Sequence, residues 1–502
     1  MRRARGSGVV ADVNLRARVA VGVGWTGGAH WFGVVAATVT TAVVARYLVP
    51  EDFAVVAAAG ALAGVLGALQ ESGIGAAVVQ HAGDGARAAT TGLLLNLAGA
   101  TAGLLACLAL TPWLAAFFQI DRPGALAVAF TPLWLRAWMN VPLARLQKAL
   151  DFRRCALVEL AQIVTYPALT IPLALTGAGA WALVVGQAAA AAAGALAAWI
   201  LSAWRPRLRD FDWETGRVLL RYGRPLVWSN LLGMTNDRID NWVVGRVLGP
   251  AALGLYVMAF RLATLPRTGF TFVVSRVLFP ALTTLRGDEQ RMRDVFLRAL
   301  HWVATCAMPA SVGLAVLAPE IVAVVLGPGW LGVVPALRVL AGFALVGSLA
   351  ATTGDVFKAT GRSVLIFRIG LVHSAVLWTG LALLAPRGIA WAGFAVSLAA
   401  TVSGATAFGC TILALRVRAG MLARVLAAPL GATVVMTAAL LGARAVPVAS
   451  GAVRLVALTL VGVAAYAGAH ALLAPDDVRE VGGALAAIRG RRAEHGRALA
   501  AG

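Results

Sequence analysis

The stretch SNLLGMTNDRIDNWVVGRVLGP (229–250) carries the densest set of polar side chains in an otherwise apolar region. Asn230, Met234, Asp237 and Asn241 recur at 4-3-4 spacing, which puts them on one face of a helix, with Arg238 and Asp240 flanking that face. Ionisable groups at membrane depth are costly and turn toward a water-filled cavity or toward each other. Two readings follow: a hydrophilic cavity wall, or an internal Asp–Arg pair that holds helices together. Seven arginines lie within or beside apolar runs: Arg46, Arg136, Arg238, Arg246, Arg261, Arg267 and Arg276. A planar guanidinium grips phosphate oxygens through two donors, and burial strengthens the contact. Arg46 and Arg246 fall at helix elbows, where they anchor at headgroups, and Arg276 is placed to snorkel. Arg136, Arg238, Arg261 and Arg267 are deeper and are the candidates for an anionic ligand. Coupling to an ion gradient needs a carboxylate in the cavity. Asp237, Asp240, Glu71, Glu159 and Asp355 are the candidates, and the sequence does not choose among them; Asp355 with Lys358 also reads as a simple ion pair at the cytoplasmic end.

Other chemistries find little support. The six histidines (His30, His81, His301, His373, His470, His495) show no metal-ligand spacing, and the four cysteines are scattered without a CxxC pair. Gly22–Gly27 spells GxGxxG, but it lies in an apolar run with no strand before it. Gly24 with Gly28, and Gly60 with Gly64, read better as GxxxG helix-packing pairs. Asp210-Phe211-Asp212 spells DxD in a basic loop with no nucleotide-binding domain around it. A Walker A sequence is missing, which excludes direct ATP hydrolysis, and the histidine and cysteine spacing leads to no expected metal or cofactor.

The elements that position these residues follow from composition. Of 502 residues, 60% are hydrophobic and 13% charged, where a soluble domain carries about 25% charge. Mean hydropathy is +0.82. The fold class is an all-α polytopic membrane protein, with fourteen spans expected near 19–44, 53–79, 88–111, 124–144, 155–176, 179–203, 225–245, 251–279, 294–316, 333–356, 364–385, 388–414, 421–442 and 452–473. The first is too long for a signal-peptide core and is expected to remain as a helix. The net charge of +21 is the other anomaly. Most of the basic residues fall in the N-terminal segment, the even-numbered loops and the tail, which makes those cytoplasmic and puts both termini inside. The excess charge is therefore a statement of topology and not of a nucleic-acid partner.

An internal repeat divides the chain. VVARYLVP (43–50) matches VVGRVLGP (243–250), with Val43, Val44, Arg46, Leu48 and Pro50 recurring unchanged 200 residues later. At the same offset His30 stands opposite Asn230 and Thr41 opposite Asn241, so both copies present a wettable face. An even number of spans separates the copies, giving parallel repeats with a site expected between them. The expected domains are an N-terminal lobe of helices one to six (1–204), an amphipathic cytoplasmic linker (205–224), a C-terminal lobe of helices seven to twelve (225–416), helices thirteen and fourteen (417–474), and a basic tail (475–502).

Four stretches carry a resemblance: RYLVPEDFAVVAAAGALAGVLGALQESGIGAAVVQ (46–80), ARLQKALDFRRCALVEL (144–160), SNLLGMTNDRIDNWVVGRVLGPAALGLYVMAFRLATLP (229–266) and SRVLFPALTTLRGD (275–288). They resemble the bacterial polysaccharide flippases of the multidrug/oligosaccharidyl-lipid/polysaccharide exporter superfamily, closest to its colanic-acid-type exporters, over roughly residues 15 to 420. The resemblance implies two six-helix lobes around a central cavity and alternating access at the bacterial cytoplasmic membrane. It also implies a substrate of oligosaccharide linked through pyrophosphate to a polyprenyl lipid. The site expected to hold it comprises His30, Arg136, Asn230, Asp237, Arg238, Asn241, Arg261 and Arg267. Partners would be the lipid substrate, membrane lipids, and the glycosyltransferases and polymerase of the same pathway. The competing function is a cation-coupled multidrug or metabolite antiporter on the same scaffold, which would favour aromatic residues in the cavity. A membrane polymerase or ligase would need a sizeable outer loop; the longest here, near 317–332, carries only Glu320 as an acid.

Overall fold

The computed structural model describes residues 27–29, 31–71, 85–285, 287–446, 451–480 and 483. Its long helices are α1 (Gly27–Ala45), α2 (Pro50–Glu71), α3 (Gly85–Phe118), α4 (Thr131–Lys148), α5 (Phe152–Leu175), α6 (Ala180–Ser202) and α7 (Trp213–Asn236). They continue with α8 (Ile239–Thr284), α9 (Glu289–Val316), α10 (Val334–Ala359), α11 (Ser363–Leu384), α12 (Ile389–Ala414), α13 (Ala419–Arg444) and α14 (Ala452–Leu473). Among the described residues, eleven helices are long and apolar enough to cross a membrane. The other three long helices, α2, α4 and α7, fall at the remaining expected positions. The chain is an all-α, multi-pass membrane protein. Its surface agrees: Val453, Val456, Leu460 and Val463 form one exposed stripe along α14, a face that hydrocarbon covers without cost and water does not.

Helix starts obey local rules. Asp151, Asp212 and Asp288 each cap a helix by accepting backbone N–H bonds, from Arg154, from Glu214 and Thr215, and from Arg291 respectively. Asp212, the second acid of the DxD triplet, is thus a cap. The Thr215 hydroxyl and backbone amide hold its carboxylate below the usual range. The segment expected to be a linker up to residue 224 is helical from Trp213 onward and runs without a break into the expected seventh span.

The chain divides into two compact units. The first holds the described residues up to Met258 together with 325–332 and 381–392. Within it, α6 packs on α5 through a small-residue stripe of Gly186, Ala190, Gly194 and Ala198. A Cβ on Gly186 would sit 1.9 Å from Thr170 Oγ1, and one on Gly194 would sit 2.5 Å from the Gln162 side chain. The second unit holds 259–324, 333–380 and the described residues from Gly393 onward. Its core gathers Leu278 and Leu282 of α8, Met292, Phe296 and Leu300 of α9, and Val356 of α10.

Candidate functional site

Helix seven of the sequence reading is interrupted. α7 ends at Asn236, Asp237 is its C-cap, and α8 begins at Ile239. The hydrogen bonding tightens there, with Arg238 N–H reaching Thr235 O at 3.2 Å and Asn241 N–H reaching Arg238 O at 3.1 Å. The 4-3-4 face therefore does not run along one continuous helix: the break separates Asn230 and Met234 from Asn241. The polar groups after the break are sorted by burial. Asp237 is exposed, Arg238 is half-buried, and Asp240 and Asn241 are buried. Asp240 is fully engaged, accepting from Tyr256 OH through Oδ2 and from Asn241 N–H through Oδ1, both at 2.8 Å. Tyr256 reaches back because α8 is itself broken at Gly249, whose φ of 85° is open to glycine. Sequence reading did not single out Tyr256, since nothing in a span of apolar neighbours marks one tyrosine as a partner.

Arg238 lies against α2. A Cβ on Gly64 would stand 3.5 Å from Arg238 Nε, so the glycine makes room for the side chain. Gly60, its expected GxxxG mate, has nothing within 4 Å of the same position. Arg238 Nε is buried and has no hydrogen-bond partner among the described residues. A buried donor left in this way costs free energy until an acceptor arrives.

The remaining expected residues scatter. Arg136 is exposed and lies in the second turn of α4, which follows a short helix over Pro123–Val128. Asn230 belongs to α7 and Glu71 ends α2, but their side chains, like all of His30, lie outside the described residues. Arg276 is in α8, also without a described side chain. Arg261 and Arg267 belong to the second unit, both half-buried. There Arg267 lies 5.5 Å over the Phe343 ring, with its Nε 3.4 Å from where a Cβ on Gly347 would be. Glu159 is half-buried on α5. Asp355 is buried and pairs with Lys358 at 3.6 Å, so the ion-pair reading of these two holds.

The two repeat elbows meet inside the first unit. In both copies a helix breaks just ahead of proline, at 46–49 before Pro50 and at Gly249 before Pro250. A Cβ on Gly254 would fall 1.8 Å from Pro50 O, so the second elbow packs backbone to backbone on the first. Trp330 closes the contact, donating from Nε1 to Ala45 O at 2.7 Å and meeting Phe53 edge-on at 5.2 Å. Asp52 ties three loops at this end. It accepts from Val49 N–H at 3.2 Å, from Arg122 Nη1 at 2.8 Å and from Ala180 N–H at 2.8 Å. Arg246 is exposed at the same elbow, 5.6 Å over Phe117.

The second unit contains an apolar cavity of about 460 Å³ lined by α8, α9, α13 and α14, with Leu262, Pro309, Leu314, Met436, Gly462 and Tyr466 on its walls. The Tyr466 hydroxyl is turned away to Thr305 O at 2.7 Å. Hydrocarbon is the matching content.

A family model described as "Polysaccharide biosynthesis protein" matches residues 43–335. The chain belongs to that family. Among curated proteins it is 26% identical over 301 residues to the "Teichuronic acid biosynthesis protein TuaB" of Bacillus subtilis (strain 168), covering 59% of this chain and 62% of that one. It is 24% identical to the "Succinoglycan biosynthesis transport protein ExoT" of Rhizobium meliloti (strain 1021), covering 68% of this chain and 69% of that one. The match to the first of these thus spans less than two thirds of the relative's length. Among solved structures, "Lipid II flippase MurJ, inward closed conformation" superposes with a TM-score of 0.73 at 13% identity, covering 90% of this chain and 99% of that one. At that identity the likeness is one of fold.

Proposed function

We propose that this member of the polysaccharide biosynthesis family flips a polyprenyl-pyrophosphate-linked oligosaccharide across the bacterial cytoplasmic membrane by alternating access, without catalysing a covalent reaction. The observation that carries the reading is the interruption at Asp237–Arg238, which leaves a buried Arg238 Nε with an open donor beside Gly64. Discontinuous membrane helices are where transporters build their sites, and a guanidinium with an open donor suits a diphosphate. Arg261 and Arg267 join it in this reading, with Arg136, Asn230, Asn241 and His30 lining the sugar path. The apolar cavity of the second unit accepts the lipid chain. Names of related proteins support the same direction, since one relative is a succinoglycan biosynthesis transport protein and a structural relative is a lipid II flippase.

Asp237 is the coupling carboxylate in this scheme. Asp240 is held by Tyr256 and Asn241, whereas Asp237 is exposed beside Arg238. The reading puts both termini in the cytoplasm, the linker at 205–224 and the basic tail at 475–502 at the inner leaflet, and the elbows on the outer side. The lobes 1–204 and 225–416 rock about those elbows, and helices thirteen and fourteen (417–474) carry the lipid. Glycosyltransferases supply the substrate inside and a polymerase consumes it outside.

The test is flux of a fluorescent pyrophosphate-linked glycolipid in proteoliposomes. Arg238→Ala and Arg261→Ala are each expected to lower flux about tenfold, the equivalent of one charge-assisted bond. Full flux in both variants overturns the assignment. Transport of cationic drugs but not glycolipid by the unmodified protein would replace it with the antiporter reading.

A further inference from the structure

Three side chains with no part in the flipping scheme converge in the second unit. His301 of α9, His470 at the end of α14 and Asp477 just beyond it bring their ligand atoms within 4.8 Å of one another. The two imidazoles point at one oxygen: His301 Nε2 lies 2.6 Å and His470 Nε2 lies 3.0 Å from Asp477 Oδ2. The other nitrogen of His301 lies 2.8 Å from Val425 O on α13. A carbonyl oxygen can only accept, so His301 Nδ1 carries a hydrogen and Nε2 is the nitrogen that faces the carboxylate. Backbone-oriented Nδ1–H with Nε2 facing inward is the arrangement in which metal-ligating histidines are held. His470 is 8% exposed and its Nδ1 is buried without a partner among the described residues, so its polar engagement runs through Nε2 into the cluster. Tyr466 stacks on the His470 ring at 5.6 Å and fixes its plane.

We propose that His301, His470 and Asp477 bind a divalent transition-metal ion of the zinc class. Two imidazole nitrogens and one carboxylate oxygen suit Zn²⁺ and exclude a preference for Mg²⁺ or Ca²⁺, which take oxygen ligands. Bonds of about 2.0–2.1 Å in a tetrahedron separate ligand atoms by about 3.3 Å, so the two N···O separations of 2.6 and 3.0 Å widen by about 0.3–0.7 Å to receive the ion. Water completes the fourth position, because the His301 and Asp477 side chains keep 16% and 19% of their surface. The ion would latch the segment after α14 onto α9. A second link joins the same pieces: Arg298, one helical turn before His301, pairs with Glu480 at 3.0 Å. The spacing of 169 residues between the histidines hides this site from any motif search.

The site is independent of the flipping mechanism and is tested by binding. The full chain, purified with a tag free of histidine and stripped with EDTA, is titrated with Zn²⁺ alone. Metal content after gel filtration is expected to reach one ion per chain, with micromolar or tighter affinity and a raised Tm. H301Q, H470Q and D477N are each expected to weaken binding at least about tenfold. H373Q, whose histidine bonds Ser403 elsewhere, should leave binding unchanged. If H470Q fails to fold, D477N beyond the helix end decides the matter. Non-saturable uptake, or equal affinity in the unmodified protein, H301Q and D477N, overturns the proposal and leaves a metal-free ion-paired cluster.

Discussion

The two copies of the repeat solve the same position with different chemistry. At an offset of 200, Thr38, Thr40 and Thr41 of α1 stand where Arg238, Asp240 and Asn241 stand beyond the break in helix seven. Each threonine donates to the carbonyl four residues back, Val34, Ala36 and Ala37, at 2.6–2.7 Å. These hydroxyls are satisfied within their own helix, and α1 continues unbroken from 31 to 45. The second copy carries groups that cannot be satisfied locally. Asp240 requires Tyr256, and Arg238 requires the space at Gly64. Sharing a repeat therefore fixes where a helix turns but not whether the polar groups beside the turn are satisfied within their own helix.

The largest effect is expected at the elbows. Gly254→Val drives a side chain into Pro50 O, and folded protein recovered from membranes is expected to fall to near zero by gel filtration. Next is the polar pair of equivalents: Arg238→Ala should lower glycolipid flux about tenfold, while Thr38→Ala keeps it within about twofold. Equal losses in both would mean that the repeat is functionally symmetric. Gly64→Leu should displace Arg238 and reproduce its loss of flux, whereas Gly60→Leu, facing open space, should not. Tyr256→Phe removes the donor to buried Asp240 and is expected to destabilise by about 1–3 kcal/mol, read by unfolding in detergent. The smallest effect belongs to Gly249→Ala, at about 1 kcal/mol, since φ of 85° is strained for any Cβ. Val49 fills the matching position of the first copy.

Much of the architecture was legible from residues. Apolar runs located the helices, and the Val-Val-x-Arg-x-Leu-x-Pro frame located both elbows, because helix length and proline are local properties. The family was legible too, from stretches spread over most of the chain. The single polar face of helix seven was not, since a periodicity argument assumes an unbroken helix and the chain breaks at 237–238. Glu320, the acid singled out in the longest outer loop, proves to be structural, accepting from Arg444 Nε at 2.9 Å.

The sequence by itself determined the class, the repeat and the candidate cations, because bilayer thickness and charge cost act on each segment separately. Tertiary structure alone decided which charges are satisfied. Asp240 and Arg238 are two residues apart, yet one ends on a tyrosine sixteen residues away and the other beside a glycine of α2. His301 and Asp477 meet across 176 residues. Hydrogen-bond partners are set by distance in space, and no local pattern of residues encodes that distance.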